Sequence, residues 1–370
     1  MGLAIGIVGL PNVGKSTLFN AVLGTAQAAA ESYPFCTIEP NVGVVPVPDA
    51  RLDDLFRVVK PGKKVPTTLE FVDIAGLVRG ASRGEGLGNQ FLANIREVDA
   101  VAHVLRCFED PDVVHVSGAL DPRGDRDVVE TELMLKDLES LERKRERTQK
   151  NTKAPGKPGE LAKAELHALD RVKAALEAGT PVRRQRLSDE DRAAVKDLSL
   201  LTQKPVLYVA NVHESQLGQE AEDPRVRAVK DLAEAEGAGW VLISGKVEAE
   251  LAALAPEERG EYLRSLGLPE PGLDRLVRAG YRLLELVTFF TWNESECRAW
   301  TVRRGAHAPQ AAGVIHTDLE RGFIRAEVIR IEDLVALGSE AACREKGKLR
   351  IEGKEYPVHD GDVIHFRFAA

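Results

Sequence analysis

The 370-residue sequence is poor in cysteine: Cys36, Cys107, Cys297 and Cys343 stand far apart, with no C-x-x-C pair. That spacing suggests neither a disulfide framework nor a zinc site, so the four read as reduced thiols. No apolar run reaches the roughly 18 residues of a membrane span, and the opening MGLAIGIVGL lacks a basic leader and a cleavage site. These absences predict a cytoplasmic protein with no membrane partner. The sequence also lacks a fixed-period repeat and a long low-complexity tract.

What is present is ordinary for a globular chain. Hydrophobic residues make up 44% and charged residues 29%, enough apolar material for real cores. At about 150 residues per domain, the length predicts two or three domains. The net charge of −8, from 50 Lys and Arg against 58 Asp and Glu, argues against a surface that coats nucleic acid everywhere. Its distribution says more than its sum. Residues 136–186 hold 14 basic and 8 acidic side chains, net +6, which leaves the rest of the chain at −14. One segment is locally basic.

The apolar, β-branched run LAIGIVGL is followed by a Gly-containing loop and by KSTLFNAVLG, whose apolar spacing is helical. Further buried strands are expected at TLEFVDIAG, AVAHVLRCF, PVLYVANV and GWVLISG. Strands of this kind alternating with helices imply an α/β fold, a parallel sheet covered by helices on both faces. Almost a hundred residues separate Phe108 from Val206, far more than a parallel crossover needs, so an inserted domain is expected. Residues 128–150 and 159–178 within it are charged and helix-forming, joined by the breaker-rich NTKAPGKPG, which predicts an antiparallel helical hairpin. After residue 283, short strand-like runs ending in DGDVIHFRF predict a separate β-rich domain. The expected boundaries are 1–127 with 199–282, an insertion over 128–198, and 283–370.

Gly9-Leu10-Pro11-Asn12-Val13-Gly14-Lys15-Ser16 matches G-x-x-x-x-G-K-[ST] between an expected strand and an expected helix, the context that this phosphate-loop motif requires. Its glycines let backbone N–H groups of Asn12, Val13, Gly14, Lys15, Ser16 and Thr17 approach phosphates. Lys15 then reaches the β- and γ-phosphates and the Ser16 hydroxyl ligates magnesium. Asp73, followed by Ile74-Ala75-Gly76, gives D-x-x-G, in which the carboxylate holds the magnesium shell and the Gly76 amide senses the γ-phosphate. Thr37, between the two motifs, is placed to complete that shell.

GTPases of this architecture carry N-K-x-D after the fourth strand, where this chain has Asn211-Val212-His213-Glu214. Loss of the paired acceptor weakens guanine discrimination and makes adenine admissible. Ser244-Gly245-Lys246 occupies the place of the loop that usually surrounds the base. Leu77 stands where a water-orienting glutamine is expected, so intrinsic hydrolysis should be slow and open to stimulation by a partner. His115 is a candidate substitute for positioning water, although a lone histidine is more often structural. Cys36, beside Thr37, is either a redox sensor or an unreactive thiol.

Together GLPNVGKST, FCTIEPN, DIAGLVRGAS, GEGLGNQFLANIREVDAVAHVLRCF, NVHE and DGDVIHFRF resemble the YchF/Obg-like ATPase family over nearly the whole chain. The resemblance implies an α/β P-loop NTPase domain, an inserted helical coiled-coil domain and a C-terminal TGS domain. It implies hydrolysis of ATP in preference to GTP and association with the ribosome and ribosomal RNA as a translation-linked switch; a monomer is expected. Lys15, Gly76 and His115 are the candidate catalytic residues; by residue, the resemblance implies Asn12 to Thr17 on the ATP phosphates and Val212 meeting adenine through its backbone. Asn211, Glu214 and Ser244 would shape the base pocket. Ser16, Thr37 and Asp73 would hold Mg2+, with a potassium ion as a further candidate cation. Ser244-Gly245 departs from the usual S-A or C-A pair. A nucleotide-gated docking protein, a conventional GTPase and, less well supported, a small-molecule kinase are the competing readings.

Overall fold

The computed structural model describes residues 3–32, 41–74, 87–110, 120–218 and 222–369. In chain order the elements are β1 (Ala4–Val8), α1 (Lys15–Ser32), β2 (Val42–Pro46), α2 (Ala50–Val59), β3 (Lys63–Val65), β4 (Thr68–Asp73), α3 (Leu87–Glu97), β5 (Ala100–Arg106), α4 (Pro122–Asn151), α5 (Lys157–Glu177), α6 (Asp189–Val195), β6 (Val206–Asn211), α7 (Pro224–Glu236), β7 (Gly239–Ile243), α8 (Gly245–Ala253), α9 (Pro256–Ser265) and α10 (Gly272–Leu283). They continue as β8 (Leu286–Trp292), β9 (Glu296–Arg303), α11 (Ala308–Ile315), α12 (Thr317–Arg321), β10 (Phe323–Arg330), α13 (Ile331–Leu337), α14 (Glu340–Glu345), β11 (Arg350–Glu352) and β12 (Asp362–Phe368). The described residues of 1–25, 38–43 and 70–276 cluster as one compact unit, and those of 26–37, 44–69 and 277–370 as a second. No described helix is long and apolar enough to cross a membrane.

The first unit is built on a sheet ordered β2-β4-β1-β5-β6-β7. β4, β1, β5, β6 and β7 pair in parallel. β5 and β6 are buried at every position, as continuous apolar runs covered on both faces should be. All five strands expected from apolar runs are present, and β2 is an edge strand that the sequence reading did not separate. Parallel register brings the C-terminal ends of β1, β5 and β6 to one edge, where ligands bind in open α/β sheets.

The long insertion is a helical hairpin. α4 begins at Pro122 rather than near residue 128, because Asp121 accepts from the Arg123 N–H and Pro122 fits the first helical turn. Leu141 of α4 packs with Leu169, Val172 and Leu176 of α5 and with Val195. At the base of the hairpin, buried Asp137 accepts from the N–H groups of Leu201 (2.7 Å) and Thr202 (2.8 Å) and from the Thr202 hydroxyl (2.7 Å). Arg183 forks onto Glu130 at 2.9 and 2.5 Å, while Arg126 pairs with Glu236, which also accepts from the Tyr208 hydroxyl at 2.8 Å. The hairpin is thus fixed by charge-assisted bonds as well as by packing.

The second unit is a sheet ordered β11-β10-β12-β8-β9-β3. One face packs Phe289, Val302 and Ile364 against Ala308, Ala311 and Ala312 of α11. On the other, Leu52 and Leu55 of α2 pack with Phe290, Cys297, Ala299 and Val363. Residues 44–69, assigned from sequence to the first 127 residues, therefore cluster with the C-terminal strands. The physical cause is twofold: α2 buries its apolar face there, and β3 pairs in parallel with β9.

Candidate active site

Residues 9–14 form the turn between β1 and α1, and Lys15 and Ser16 open the helix. Asn12 and Gly14 have φ values of 64° and 93°, a backbone alternation suited to aiming successive N–H groups into one concavity. Two glycines are dictated by close approach. A Cβ on Gly9 would lie 2.6 Å from the Val104 carbonyl oxygen, and one on Gly14 would lie 2.2 Å from Asn211 Nδ2.

Lys15 is only 7% exposed. Its ammonium donates to the Leu10 carbonyl at 2.7 Å, and burial pushes its pKa down to about 8, partly offset by Asp73. Asp73, at the end of β4, is half-buried, and burial raises its pKa against the opposing pull of Lys15. A buried ammonium beside a helix N-terminus and a half-buried carboxylate are unfavourable in isolation. They favour an anion near Lys15 and a cation near Asp73.

The opposite wall comes from β5 and β6, whose last residues, Arg106 and Asn211, are register partners. Buried Asn211 is a staple: its Nδ2 donates to the Val13 carbonyl (2.9 Å) and its Oδ1 accepts from the Gly245 N–H (3.0 Å). The Val212 N–H is donated to the Ile243 carbonyl at 2.9 Å. A backbone contact from Val212 to a base therefore has to use its carbonyl oxygen. Arg106, 2% exposed, donates to the carbonyls of Phe108 (3.1 Å), Asn12 (3.3 Å) and Asp110 (3.4 Å).

These walls enclose a cleft of about 630 Å³. Asn12, Gly14, Lys15, Ser16 and Thr17 line one side, while Asn211 and Val212 line the other with Phe108, Asp110, His213, Gly245 and Lys246. Seven of the sequence-derived site residues are thus brought together. Val13 is fully buried and contributes its carbonyl to Asn211. Ser244 is buried and does not line the cleft, and Glu214 lies off the lining, paired with Lys246 at 3.0 Å. Thr37, Gly76, Leu77, His115 and Cys36 lie outside the described residues. Sequence reasoning gave no structural role to Arg106 or Phe108, and placed Lys246 only in the loop around the base. The one available signal was the R-C-F at the end of β5, where a charged residue closes a fully buried strand.

Residues 4–153 match the family model described as a 50S ribosome-binding GTPase. Residues 286–369 match YchF-GTPase_C, described as a protein of unknown function (DUF933). Over 368 residues the chain is 55% identical to the ribosome-binding ATPase YchF of Haemophilus influenzae, covering 100% of this chain and 99% of that one. The chain belongs to the YchF family. Its identity to the YchF of Bacillus subtilis is 51% over 370 residues, with both chains covered in full. The YchF GTPase of Schizosaccharomyces pombe has the same architecture, with a TM-score of 0.89 at 37% identity over 99% of this chain and 98% of that one. The α/β P-loop fold is thus that of a YchF protein. Of the two matched segments, the first spans the phosphate loop and Asp73, and the second spans β8 to β12.

Proposed function

We propose that this YchF chain binds ATP with Mg2+ in the cleft, hydrolyses it to ADP and phosphate, and serves as a translation-linked switch on the ribosome. The observation that carries the choice of base is Val212. With its N–H committed to Ile243, it offers a base only an acceptor, which suits the 6-amino group of adenine and opposes the O6 acceptor of guanine. Glu214, engaged by Lys246, does not replace the aspartate that would accept from guanine. The names of the bacterial relatives, ribosome-binding ATPases, support both the activity and the partner.

The chain's own contributions follow from the geometry. Backbone N–H groups of Asn12 to Thr17 and the N-terminus of α1 take the phosphates. Lys15 moves its donor from the Leu10 carbonyl to phosphate oxygens, and its burial strengthens that contact because less water screens it. Ser16 and Asp73 are hard oxygen donors that fit Mg2+, with Thr37 as a third. Bound there, magnesium supplies positive charge against the developing phosphate oxygens. A potassium ion is a further candidate cation. Gly76 and His115 are the remaining candidates for γ-phosphate sensing and for positioning water, and Asn211 holds the two walls in register.

The insertion over 128–198 and the C-terminal segment 283–370, taken as a TGS domain, are the parts that we assign to ribosomal RNA. The protein would act in the cytoplasm as a monomer. Calorimetric titration of ATP and GTP, followed by turnover with and without ribosomes, tests the assignment. ATP should bind at least about tenfold more tightly, about 1.4 kcal/mol, and ribosomes should accelerate slow turnover. Lys15→Ala should abolish that turnover, and Ser16→Ala should weaken its magnesium dependence. Equal affinities for the two nucleotides would overturn the ATPase reading, and occupancy without stimulated turnover would make the chain a nucleotide-gated docking protein.

A further inference from the structure

The sheet of the first unit ends at β7, and among the described residues no strand pairs with its outer edge. Its five residues, GWVLI, include no proline and no charge, two devices that commonly blunt an edge. We propose that this edge takes an extended, acidic peptide segment of a partner protein by strand addition. The site shares no lining residue with the proposed nucleotide cleft, and the inference does not rest on the function proposed above.

The outward-facing backbone groups are assigned by the pairing on the inner side. The Val212 N–H donates to the Ile243 carbonyl, with Asn211 and Ile243 as register partners. The polar groups of Ile243, and by alternation those of Val241, therefore face β6, while those of Trp240 and Leu242 face outward. Side chains alternate as well. A Cβ on Gly272, at the start of α10, would lie 2.9 Å from Ile243 Cγ1, so α10 approaches the face of Val241 and Ile243. Trp240 and Leu242 project to the opposite face. There they line a cleft of about 570 Å³ with Val226, Lys230 and Glu234 of α7, and Arg275 of α10 reaches the same cleft. The open edge is thus flanked by α7 on one side and α10 on the other, a trough of the kind that receives an added strand.

The trough favours a carboxylate. Arg275 Nε is buried and has no hydrogen-bond partner among the described residues. Glu248, the carboxylate that senses its charge, is spent on the N–H groups of Gly272 at 2.8 Å and Leu273 at 3.0 Å. On the lining, Arg227, Lys230 and Arg275 meet Asp231 and Glu234. Glu234 is paired with Lys230 at 3.9 Å, and Asp231 with Arg123 at 3.7 Å. The rim therefore keeps excess positive charge. An added strand sends alternate side chains to the two walls, apolar ones to Val226, Trp240 and Leu242 and carboxylates to Arg275. A buried donor without a partner gains most from such an ionised acceptor. A second copy of this chain suits the edge less well, because two-fold pairing of β7 with β7 would set the positive rim against itself.

The test uses the full-length chain and a fluorescein-labelled eight-residue peptide of alternating valine and glutamate, with affinity followed by fluorescence polarisation. Its affinity should exceed that of the valine–lysine counterpart by about tenfold or more, and Arg275→Gln should lower it about tenfold. Lys346→Gln removes an exposed positive charge elsewhere and should leave it unchanged. Strand addition has a readout of its own. Two peptides, one N-methylated on its valines and the other on its glutamates, each lose the donors of one edge only. One should bind as well as the parent and the other about tenfold or more weakly. These peptides leave the protein untouched, so they carry the test even where the Arg275 variant is unstable.

No binding of the acidic peptide, equal binding of the basic one, or equal affinities of the two methylated peptides overturns the proposal. Equal loss in the Arg275 and Lys346 variants does the same. So does a concentration-dependent dimer in light scattering that excludes the peptide, which would make β7 an edge that pairs with a second copy.

Discussion

The Arg106 guanidinium lies 4.6 Å from the centroid of the Phe108 ring while its Nε donates to the Phe108 carbonyl at 3.1 Å. One buried cation therefore supports the aromatic wall of the proposed nucleotide cleft. Through the Asn12 carbonyl at 3.3 Å, it also holds the phosphate loop.

Arg106→Lys is accordingly not conservative. It keeps the charge but loses the planar fork and the stacking. Calorimetry should show ATP affinity reduced about tenfold, about 1.4 kcal/mol. Unchanged affinity would mean that Phe108 and Asp110 are positioned by other contacts.

Asn211 joins Val13 to Gly245 through two buried side-chain bonds. Asn211→Ala leaves a carbonyl and an N–H without those partners, so denaturant unfolding should report a loss of about 2–3 kcal/mol, with weaker ATP binding alongside. Asn211→Asp should be at least as damaging, since a carboxylate would face the Val13 carbonyl. Wild-type stability in both variants would show that the staple is dispensable.

Lys15 is held in a buried position at an energetic cost, as its lowered pKa indicates. Lys15→Met should lose ATP binding yet melt slightly higher, by about 1 kcal/mol, because function and stability make opposing demands on this site. A lower melting temperature would show that the bond to the Leu10 carbonyl outweighs the burial of the charge.

Asp137 gives a pH signature. Burial pushes its pKa up to about 6, above the usual 3.8, even though Thr202 and Leu201 hydrogen-bond its carboxylate. The folded state thus holds this proton more tightly than the unfolded state does. The associated stability is fully present below about pH 4 and is lost as pH rises toward 6. Relative to wild type, Asp137→Asn should gain on the order of 2–3 kcal/mol between those limits. A pH-independent difference between the two proteins in urea unfolding would refute the assignment.

Local order along the chain determined the strand, loop and helix around Lys15, the apolar runs that became β4, β5, β6 and β7, and the helical hairpin. Each depends on spacing within a few residues, and burial on both faces of a parallel sheet demands unbroken apolar runs. The departure of Asn211-Val212-His213-Glu214 from N-K-x-D was equally legible, and a change in base preference is what we propose from it. Only the tertiary structure decided that α2 and β3 would join the C-terminal sheet, since pairing of β3 with β9 links residues more than two hundred positions apart. The same holds for Arg106 reaching Asn12 and for Arg275 reaching the trough beside β7. The sequence supplied these cations, but no local pattern encodes their juxtaposition. It arises from the register of β1, β5 and β6 and from the packing of α10 beside β7, which are fixed by the burial of the whole core.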